Sequence, residues 1–179
     1  MASAGPDVEA DTGDKASAVS FEQAEEQAWG EIAAHLKVMP PYEFQDLVAD
    51  LLKGMGYYPS WVAPPGPDGG LDIIAHPDPL GTRAPRIKVQ VKRQQAKITA
   101  DELRSFFSHI TEDDAGLFVS LGGFTRDAET EARKQERRRI TLIDLDRLVE
   151  LWIEFYGKLE PKARERMPLT PIYFLTPRE

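Results

Sequence analysis

The residues of this chain that could do chemistry together are an aspartate and a Gln-x-Lys pattern. Asp72 ends the run Asp68-Gly69-Gly70-Leu71-Asp72, and Gln90 and Lys92 stand near the end of the segment from Ile87 to Lys92. Carboxylate and amide oxygens are hard ligands for Mg²⁺, and a lysine can hold a phosphate or orient an attacking water. The pattern predicts a metal-assisted phosphodiester hydrolysis site with Asp72, Gln90 and Lys92 as catalytic residues.

Two strands and a loop must position these side chains. Ile73 to Ala75 is an apolar strand candidate, and residues 77 to 85 are rich in Pro and Gly, as expected of a hairpin loop. Because side chains alternate along a strand, Lys88, Gln90 and Lys92 share one face of the next strand. The backbone carbonyl of Val91 is a further candidate metal ligand, beside Asp72 and Gln90. From the residues alone, a plain half-exposed hairpin explains the pattern about as well.

Further segments extend this pattern along the chain. They are, in order, Phe44-Gln45-Asp46-Leu47-Val48 with Leu51-Leu52, Met55-Gly56-Tyr57, Asp68-Gly69-Gly70-Leu71-Asp72, Val89-Gln90-Val91-Lys92-Arg93, Gly116-Leu117-Phe118-Val119-Ser120, Phe124-Thr125 with Ala128, and Leu142-Ile143-Asp144. In order and spacing, the region from about residue 41 to 157 resembles the catalytic domain of Mrr-type restriction endonucleases. These belong to the PD-(D/E)xK nuclease superfamily.

The resemblance implies a role for each residue of the pattern. Asp72 would be the metal carboxylate, Gln90 would stand where the superfamily has a second acid, and Lys92 would be the catalytic lysine. It also implies DNA as the substrate and Mg²⁺ as the cofactor, with Mn²⁺ able to substitute. The expected activity is that of a metal-dependent endodeoxyribonuclease of the restriction or defence type.

One departure from the family concerns the first helix of the domain. Many members carry Phe-Glu there, whereas this chain has Phe44-Gln45, with Glu43 one residue earlier. Glu43, Gln45 and Asp68 are therefore auxiliary candidates for the site. With neutral glutamines at positions 45 and 90, Asp72 is the one certain anionic ligand. Such a site is expected to hold its metal weakly until the DNA phosphate arrives.

Charge is distributed unevenly along the chain, whose formal net charge is −8. Residues 1 to 50 contain eleven acids and two bases, so most of the negative charge precedes the candidate site. Phosphate binding requires local positive potential, which a cluster of bases near the site can supply. A Gly-Gly turn before a helix can also present free N–H groups to a phosphate. The predicted DNA-binding residues are Gly69, Gly70, Lys88, Arg93, Lys97, Gly122, Gly123 and Thr125.

Hydrophobic periodicity predicts an α/β fold, and the resemblance to Mrr-type restriction endonucleases implies that its core is of the restriction-endonuclease type. Its core is a central mixed β-sheet flanked by helices on both faces, and an extra N-terminal helix precedes it. We expect a disordered acidic leader over residues 1–19, an amphipathic helix over 20–39, the nuclease domain over 40–157, and a C-terminal tail over 158–179 that packs on the domain. Within this tail, Ile172 to Leu175 could dock as a short edge strand.

Composition excludes several classes of protein. The chain has no cysteine, which rules out disulfides, thiolate metal sites and cysteine nucleophiles. It has no apolar run long enough for a transmembrane helix and no signal-peptide pattern at its start. The sequence therefore predicts a cytoplasmic protein without a membrane partner. It contains no P-loop pattern for ATP-driven translocation.

Other functions remain open on the sequence alone. A structure-selective resolvase or a nuclease acting on RNA would use the same metal chemistry. A catalytically weak or inactive module could instead bind DNA or a partner protein. The N-terminal helix could also make this mainly an assembly subunit whose partner reads DNA. Because cutting both strands of a duplex usually requires two active sites, a homodimer is expected, with a separate recognition domain or subunit as a further possible partner.

Overall fold

The computed structural model describes residues 10–66 and 70–175, with side chains from Ser20 onward. Two helices come first and are followed by a sheet interleaved with further helices. In chain order the elements are α1 (Ala10–Val38), α2 (Pro41–Gly54), β1 (Tyr58–Val62), β2 (Ile73–His76), β3 (Arg86–Lys92), α3 (Ala100–Phe107), β4 (Asp114–Ser120), α4 (Arg126–Arg133), β5 (Arg139–Ile143), α5 (Leu145–Phe155), a 3₁₀ turn (Tyr156–Lys158) and α6 (Pro161–Arg164).

The five strands form one mixed sheet in the order β1-β2-β3-β4-β5. Hairpin loops make β1, β2 and β3 antiparallel, and the helical crossovers α3 and α4 make β3, β4 and β5 parallel. β3 is therefore the strand at which the two kinds of pairing meet. The predicted mixed sheet with helices and an added N-terminal helix is confirmed.

Two apolar clusters cover the two faces of the sheet. The larger cluster joins α2 and α5 to the inward side chains of β2 and β3, including Phe44, Ile73, Val89 and Trp152. The smaller cluster packs α3 and α4 on β4, where Phe118 contacts the rings of Phe106 and Phe124 edge to face. The alternation in β3 follows the prediction, because Ile87 and Val89 lie in the larger cluster.

Local sequence signals fix where the helices begin. Pro41 is the first residue of α2, where its missing N–H costs nothing. Thr99 and Glu102 form a capping box at the start of α3, and Thr125 and Asp144 cap α4 and α5 through their side chains. Within the described residues, no helix is long and apolar enough to cross a membrane.

The two ends of the chain differ from the sequence expectations. α1 begins at Ala10, so residues 10–19 are helical where a disordered leader was expected, and no proline interrupts the chain between Pro6 and Pro40. Leu159, Ala163 and Met167 bury the first part of the C-terminal tail in the larger cluster. Residues 171–175 do not form the expected edge strand; they are exposed coil.

Candidate active site

A cavity of about 380 Å³ opens where the first turn of α2 meets the ends of β2 and β3. The elements that form it are fixed by the fold: α2 lies on the sheet through its buried stripe, and the loop after β3 closes one side. The lining residues are Pro41, Tyr42, Phe44, Gln45, Asp72, Val91, Lys92, Arg93 and Gln94. Three of the predicted catalytic or metal residues, Asp72, Val91 and Lys92, thus line one cavity.

Asp72 lies at the point where β2 and β3 separate. Its N–H donates to the carbonyl of Val89 at 2.8 Å, and its own carbonyl accepts from the N–H of Ala63 at 2.8 Å. The N–H of Val91 donates to Oδ2 of the Asp72 carboxylate at 2.6 Å. A side chain thus takes the place of a backbone acceptor in the ladder. Asp72 is 7 % exposed, and the bond from Val91 fixes its carboxylate beside the end of β3.

Gln45 approaches the same cavity from α2. Its Nε2 donates to the carbonyl of Ala63 at 2.8 Å, and the residue is 5 % exposed. Because Ala63 also donates to the carbonyl of Asp72, two hydrogen bonds connect α2 to Asp72 through one residue of the loop after β1. With its nitrogen engaged, the amide of Gln45 keeps its oxygen as an acceptor for a ligand in the cavity.

Lys92 ends β3 opposite Ser120 of β4, and its carbonyl accepts from the N–H of Leu121 at 3.1 Å. No carboxylate of the described residues forms an ion pair with its ammonium. The charge of Lys92 nevertheless reaches Glu102 at the start of α3. The backbone N–H of Thr99 is the main cause of the lowered pKa of Glu102, and Lys92 adds to that effect. The Lys92 ammonium therefore interacts electrostatically with the carboxylate of Glu102, which caps α3.

Comparison with known proteins bears on this geometry. Residues 36–152 match a family described as restriction endonuclease, in its Mrr catalytic-domain form. That range covers more than half of the chain and contains every residue that lines the cavity. The chain belongs to the Mrr-type restriction endonuclease family.

A solved structure shares this restriction-endonuclease fold. The chain is similar to the MspJI restriction endonuclease in complex with a 27-mer oligonucleotide, at 16 % identity and a TM-score of 0.50. The alignment covers 93 % of this chain and 39 % of that one, so this chain spans well under half of the length of MspJI. At this identity the likeness concerns the fold. No curated protein matches the sequence.

Gln90, the third predicted catalytic residue of this restriction endonuclease domain, does not line the cavity. It is half-buried on β3 opposite Phe118, and by the alternation of the strand its side chain shares a face with that of Lys92, whereas Gln45 and Asp72 both line the cavity. Glu43 is half-buried on α2 and does not line the cavity either. Of the auxiliary candidates, Gln45 is the one that lines it. Asp68 and Gly69 lie outside the described residues.

The side chain of Lys88 is buried and paired within the protein, whereas a DNA-binding lysine is expected to be exposed. Its ammonium forms an ion pair with Asp114 at 2.8 Å and donates to the carbonyl of His109, and its side chain is 11 % exposed. Arg86 reaches the other carboxylate oxygen of Asp114 at 3.0 Å. This ion pair holds the Lys88 ammonium on Asp114, and a role of Lys88 in DNA binding stays a prediction. The burial follows from β3 continuing beneath the end of α3.

The Gly-Gly turn before α4 is also occupied by protein contacts. The N–H groups of Gly123 and Thr125 donate to the carbonyls of Ser120 and Ile98, and the Thr125 hydroxyl caps α4. Gly122 lies so close to the loop after β3 that a Cβ there would be 2.4 Å from the carbonyl oxygen of Ala96. These contacts position the loop after β3, and a role of Gly122, Gly123 and Thr125 in DNA binding stays a prediction.

The remaining DNA-binding candidates lie near the cavity or on the surface. Arg93 lines the cavity, and its guanidinium donates to the carbonyl of Lys37 at the end of α1. Lys97 is exposed in the loop after β3. Gly70 has a φ of +91°, and a Cβ there would lie 3.1 Å from Nε2 of His109. For Arg93, Lys97 and Gly70, a role in DNA binding stays a prediction.

Tyr42 is a lining residue that the sequence interpretation did not single out. It precedes Gln45 by three positions on α2, so the two side chains share one side of the helix. Applying the helical spacing backward from Gln45 would have identified it.

Proposed function

We propose that this domain is a metal-dependent DNA endonuclease whose reaction takes place in the cavity between α2 and the end of β3. The strongest support is that Asp72 and Lys92 line the same cavity. Within the described residues, the Lys92 ammonium forms no ion pair with a carboxylate. The family to which the chain belongs, and the oligonucleotide bound by MspJI, support DNA as the substrate.

The donor set suits a hard divalent cation. Asp72 would be the anionic ligand, the carbonyl of Val91 and an amide oxygen would be neutral ligands, and water and the DNA phosphate would complete the shell. Gln45 lines the cavity and Gln90 is implied by the family pattern, so each is a candidate for the amide oxygen. Within the described residues, no group of three or more His, Cys, Asp or Glu side chains could hold a metal. With one carboxylate and neutral oxygens as donors, the proposed cation is Mg²⁺ or Mn²⁺, bound jointly with the substrate phosphate.

Each group of the protein then has a definite task. When bound, Mg²⁺ would polarise the phosphate and lower the pKa of an attacking water. Lys92 donates a hydrogen bond to a phosphate oxygen and balances the charge that develops there during the reaction. The bonds from Val91 to Asp72 and from Gln45 to Ala63 hold the ligands in place before the substrate arrives.

A plasmid assay tests this proposal. Supercoiled DNA is incubated with the protein in Mg²⁺, Mn²⁺, Ca²⁺ or EDTA, and nicked and linear products are measured over time. We expect cleavage with Mg²⁺ or Mn²⁺ and none with EDTA. The Asp72→Asn variant, which keeps an acceptor for Val91, is expected to lose cleavage while retaining its melting temperature. Wild-type protein that cuts equally in EDTA would contradict the metal-dependent reaction.

A catalytically silent DNA-binding module is the second candidate. It is favoured by the single carboxylate among the lining residues, since Asp72 is the one acid there in the described part of the chain. This alternative predicts DNA retention in a gel shift without cleavage under any metal. Retention that is equal for wild type, Asp72→Asn and Lys92→Ala would support it.

A further inference from the structure

Tyr42 combines exposure with a fixed position at the mouth of the cavity. It is 45 % exposed, whereas Phe44, two residues later on the same helix, is fully buried. The Tyr42 hydroxyl accepts a hydrogen bond from the N–H of Gly66 at 3.0 Å. This bond holds the phenol against the loop that follows β1. The ring is thus oriented by protein contacts while much of its surface remains open to a ligand.

The partners of Tyr42 around the cavity suit a nucleotide. Lys92 and Arg93 bring positive charge from the end of β3, and Gln94 adds a polar group. Gln45 and Asp72 are buried, and Tyr42 is exposed, so the aromatic ring lies nearer to solvent than the carboxylate does. A phosphate near Lys92 would therefore bring its own sugar or base toward the ring. Aromatic side chains beside cations are the combination that proteins use to hold nucleic-acid strands.

We propose that Tyr42 contacts the DNA strand at the cut site by stacking on a nucleotide that is not stacked in a duplex. This rests on the proposed function and adds a preference to it. A base inside a regular duplex is covered by its neighbours, so a ring can stack on it only after it leaves the stack. In DNA with a gap or an unpaired nucleotide, a nucleotide is already free of the stack, so binding does not require the free energy of unstacking it. Such DNA is the preferred ligand of this cavity.

Binding without cleavage tests the inference directly. A labelled oligonucleotide duplex, the same duplex with a one-nucleotide gap, and the single strand are titrated with protein in EDTA and followed by fluorescence anisotropy. The variants are Tyr42→Ala, which removes the ring, and Tyr42→Phe, which keeps the ring and removes the acceptor of the Gly66 N–H. Tyr58→Ala is the matched control because Tyr58 is also 45 % exposed but lies on β1 and does not line the cavity.

The expected result is a ranking of ligands and variants. Wild type binds the gapped duplex more tightly than the continuous one, and Tyr42→Ala weakens binding of the gapped duplex by about tenfold, within the range of one lost stacking contact. Tyr42→Phe keeps the ring but loses the bond that orients it, so it binds the gapped duplex more weakly than wild type but more tightly than Tyr42→Ala does, and Tyr58→Ala binds it as wild type does. Melting temperatures, measured in parallel, verify that all variants are folded.

Three outcomes would overturn the inference. In the first, Tyr42→Ala binds gapped DNA as tightly as Tyr58→Ala does. In the second, Tyr42→Phe is as weak as Tyr42→Ala, which would show that the bond to Gly66 matters rather than the ring. In the third, wild type neither binds nor cuts any DNA, which would refute the proposed function as well. Normal plasmid cleavage together with either of the first two outcomes would refute the role of Tyr42 alone.

Discussion

Two glutamines are candidates for the neutral oxygen beside Asp72, and their surroundings separate them. Gln45 is buried in the cavity wall with its nitrogen bonded to Ala63, so its oxygen is oriented before a ligand arrives. Gln90 is half-buried on β3 and shares a face of that strand with Lys92, but it does not line the cavity. The family pattern favours Gln90, and the cavity favours Gln45. The difference can be measured with single substitutions.

We predict that Gln45→Ala lowers the cleavage rate about tenfold or more, the usual effect of losing a group that orients a metal ligand. It should also raise the Mg²⁺ concentration required for half-maximal rate. Gln90→Ala should have the smaller effect in the same assay. A normal rate for Gln45→Ala together with a large loss for Gln90→Ala would assign the oxygen to Gln90.

Ser120, at the same end of the sheet, has a buried hydroxyl group. Its hydroxyl is buried opposite Lys92 and has no hydrogen-bond partner in the described structure. An unsatisfied buried hydroxyl costs free energy, so Ser120→Ala should stabilise the fold by about 1 kcal/mol. Urea unfolding measures this change. A loss of more than about 1 kcal/mol would contradict it and would indicate that the hydroxyl has a partner in solution.

At the level of elements, the loop after β3 is held against the turn after β4. Ile98 and Phe124 form an isolated bridge, and the backbone of Gln95 and Ala96 packs on Gly122. This contact positions the loop that directly follows Lys92. It also explains why a glycine is needed there, since a side chain at position 122 would overlap backbone atoms rather than a flexible side chain.

Gly122→Ala is therefore expected to destabilise the domain by about 1–3 kcal/mol, because the loop must move to admit a methyl group. Cleavage should fall with it, measured at a temperature where the variant remains folded. Gly157→Ala is the matched control, since a Cβ at position 157 would meet nothing within 4 Å. Equal melting temperatures for the two variants would show that the close approach of the loop after β3 to Gly122 does not affect stability.

The elements themselves could be predicted from the sequence because their signals are local. The apolar run from Ile73 to Ala75 predicts β2, and the alternation from Ile87 to Lys92 predicts β3. The capping box of Thr99 and Glu102 is likewise a local signal, and it begins α3. The partner of Lys88 could not be predicted in this way, because Asp114 lies on another strand and nothing near Lys88 in the sequence marks it. The irregular ladder at Asp72 was also missed, since a carboxylate that replaces a backbone acceptor leaves no periodic trace. Local chemistry singled out Asp72 and Lys92 as candidates, and both line the cavity, but the other lining residues could be found only from the fold.

At the scale of the whole molecule, Asp114 at the start of β4 connects β3 to the loop between α3 and β4. Burial opposes ionisation of this carboxyl, but hydrogen bonds from Lys88, Arg86 and Thr111 outweigh it and hold its pKa well below the ordinary value. A lowered folded-state pKa means that the stabilisation is present above the unfolded-state value, about 3.9, and is lost as the pH falls below it. The domain should therefore lose stability in acid below about pH 4.

Asp114→Asn tests this network. At pH 7 it should destabilise the domain by about 3 kcal/mol, because Lys88 would remain charged and buried without a counter-charge. Between pH 4 and pH 2, the stability of the variant should fall less steeply than that of wild type, since it lacks the titrating carboxyl. Urea unfolding across this pH range measures both effects. Parallel pH profiles for the two proteins would contradict the assignment to Asp114.

The central claim is that Asp72 and Lys92 act on one phosphate in one cavity, and a double-mutant cycle in single-turnover cleavage tests it most directly. Asp72→Asn, Lys92→Met and the double variant are compared with wild type at saturating Mg²⁺, with the exposed-surface substitution Lys162→Met as control. We predict that each single variant lowers the rate by about 10³-fold or more and that the double variant is no slower than either, as found for residues that act as a unit. A near-normal rate for Lys92→Met, or losses that multiply in the double variant, would contradict a shared site.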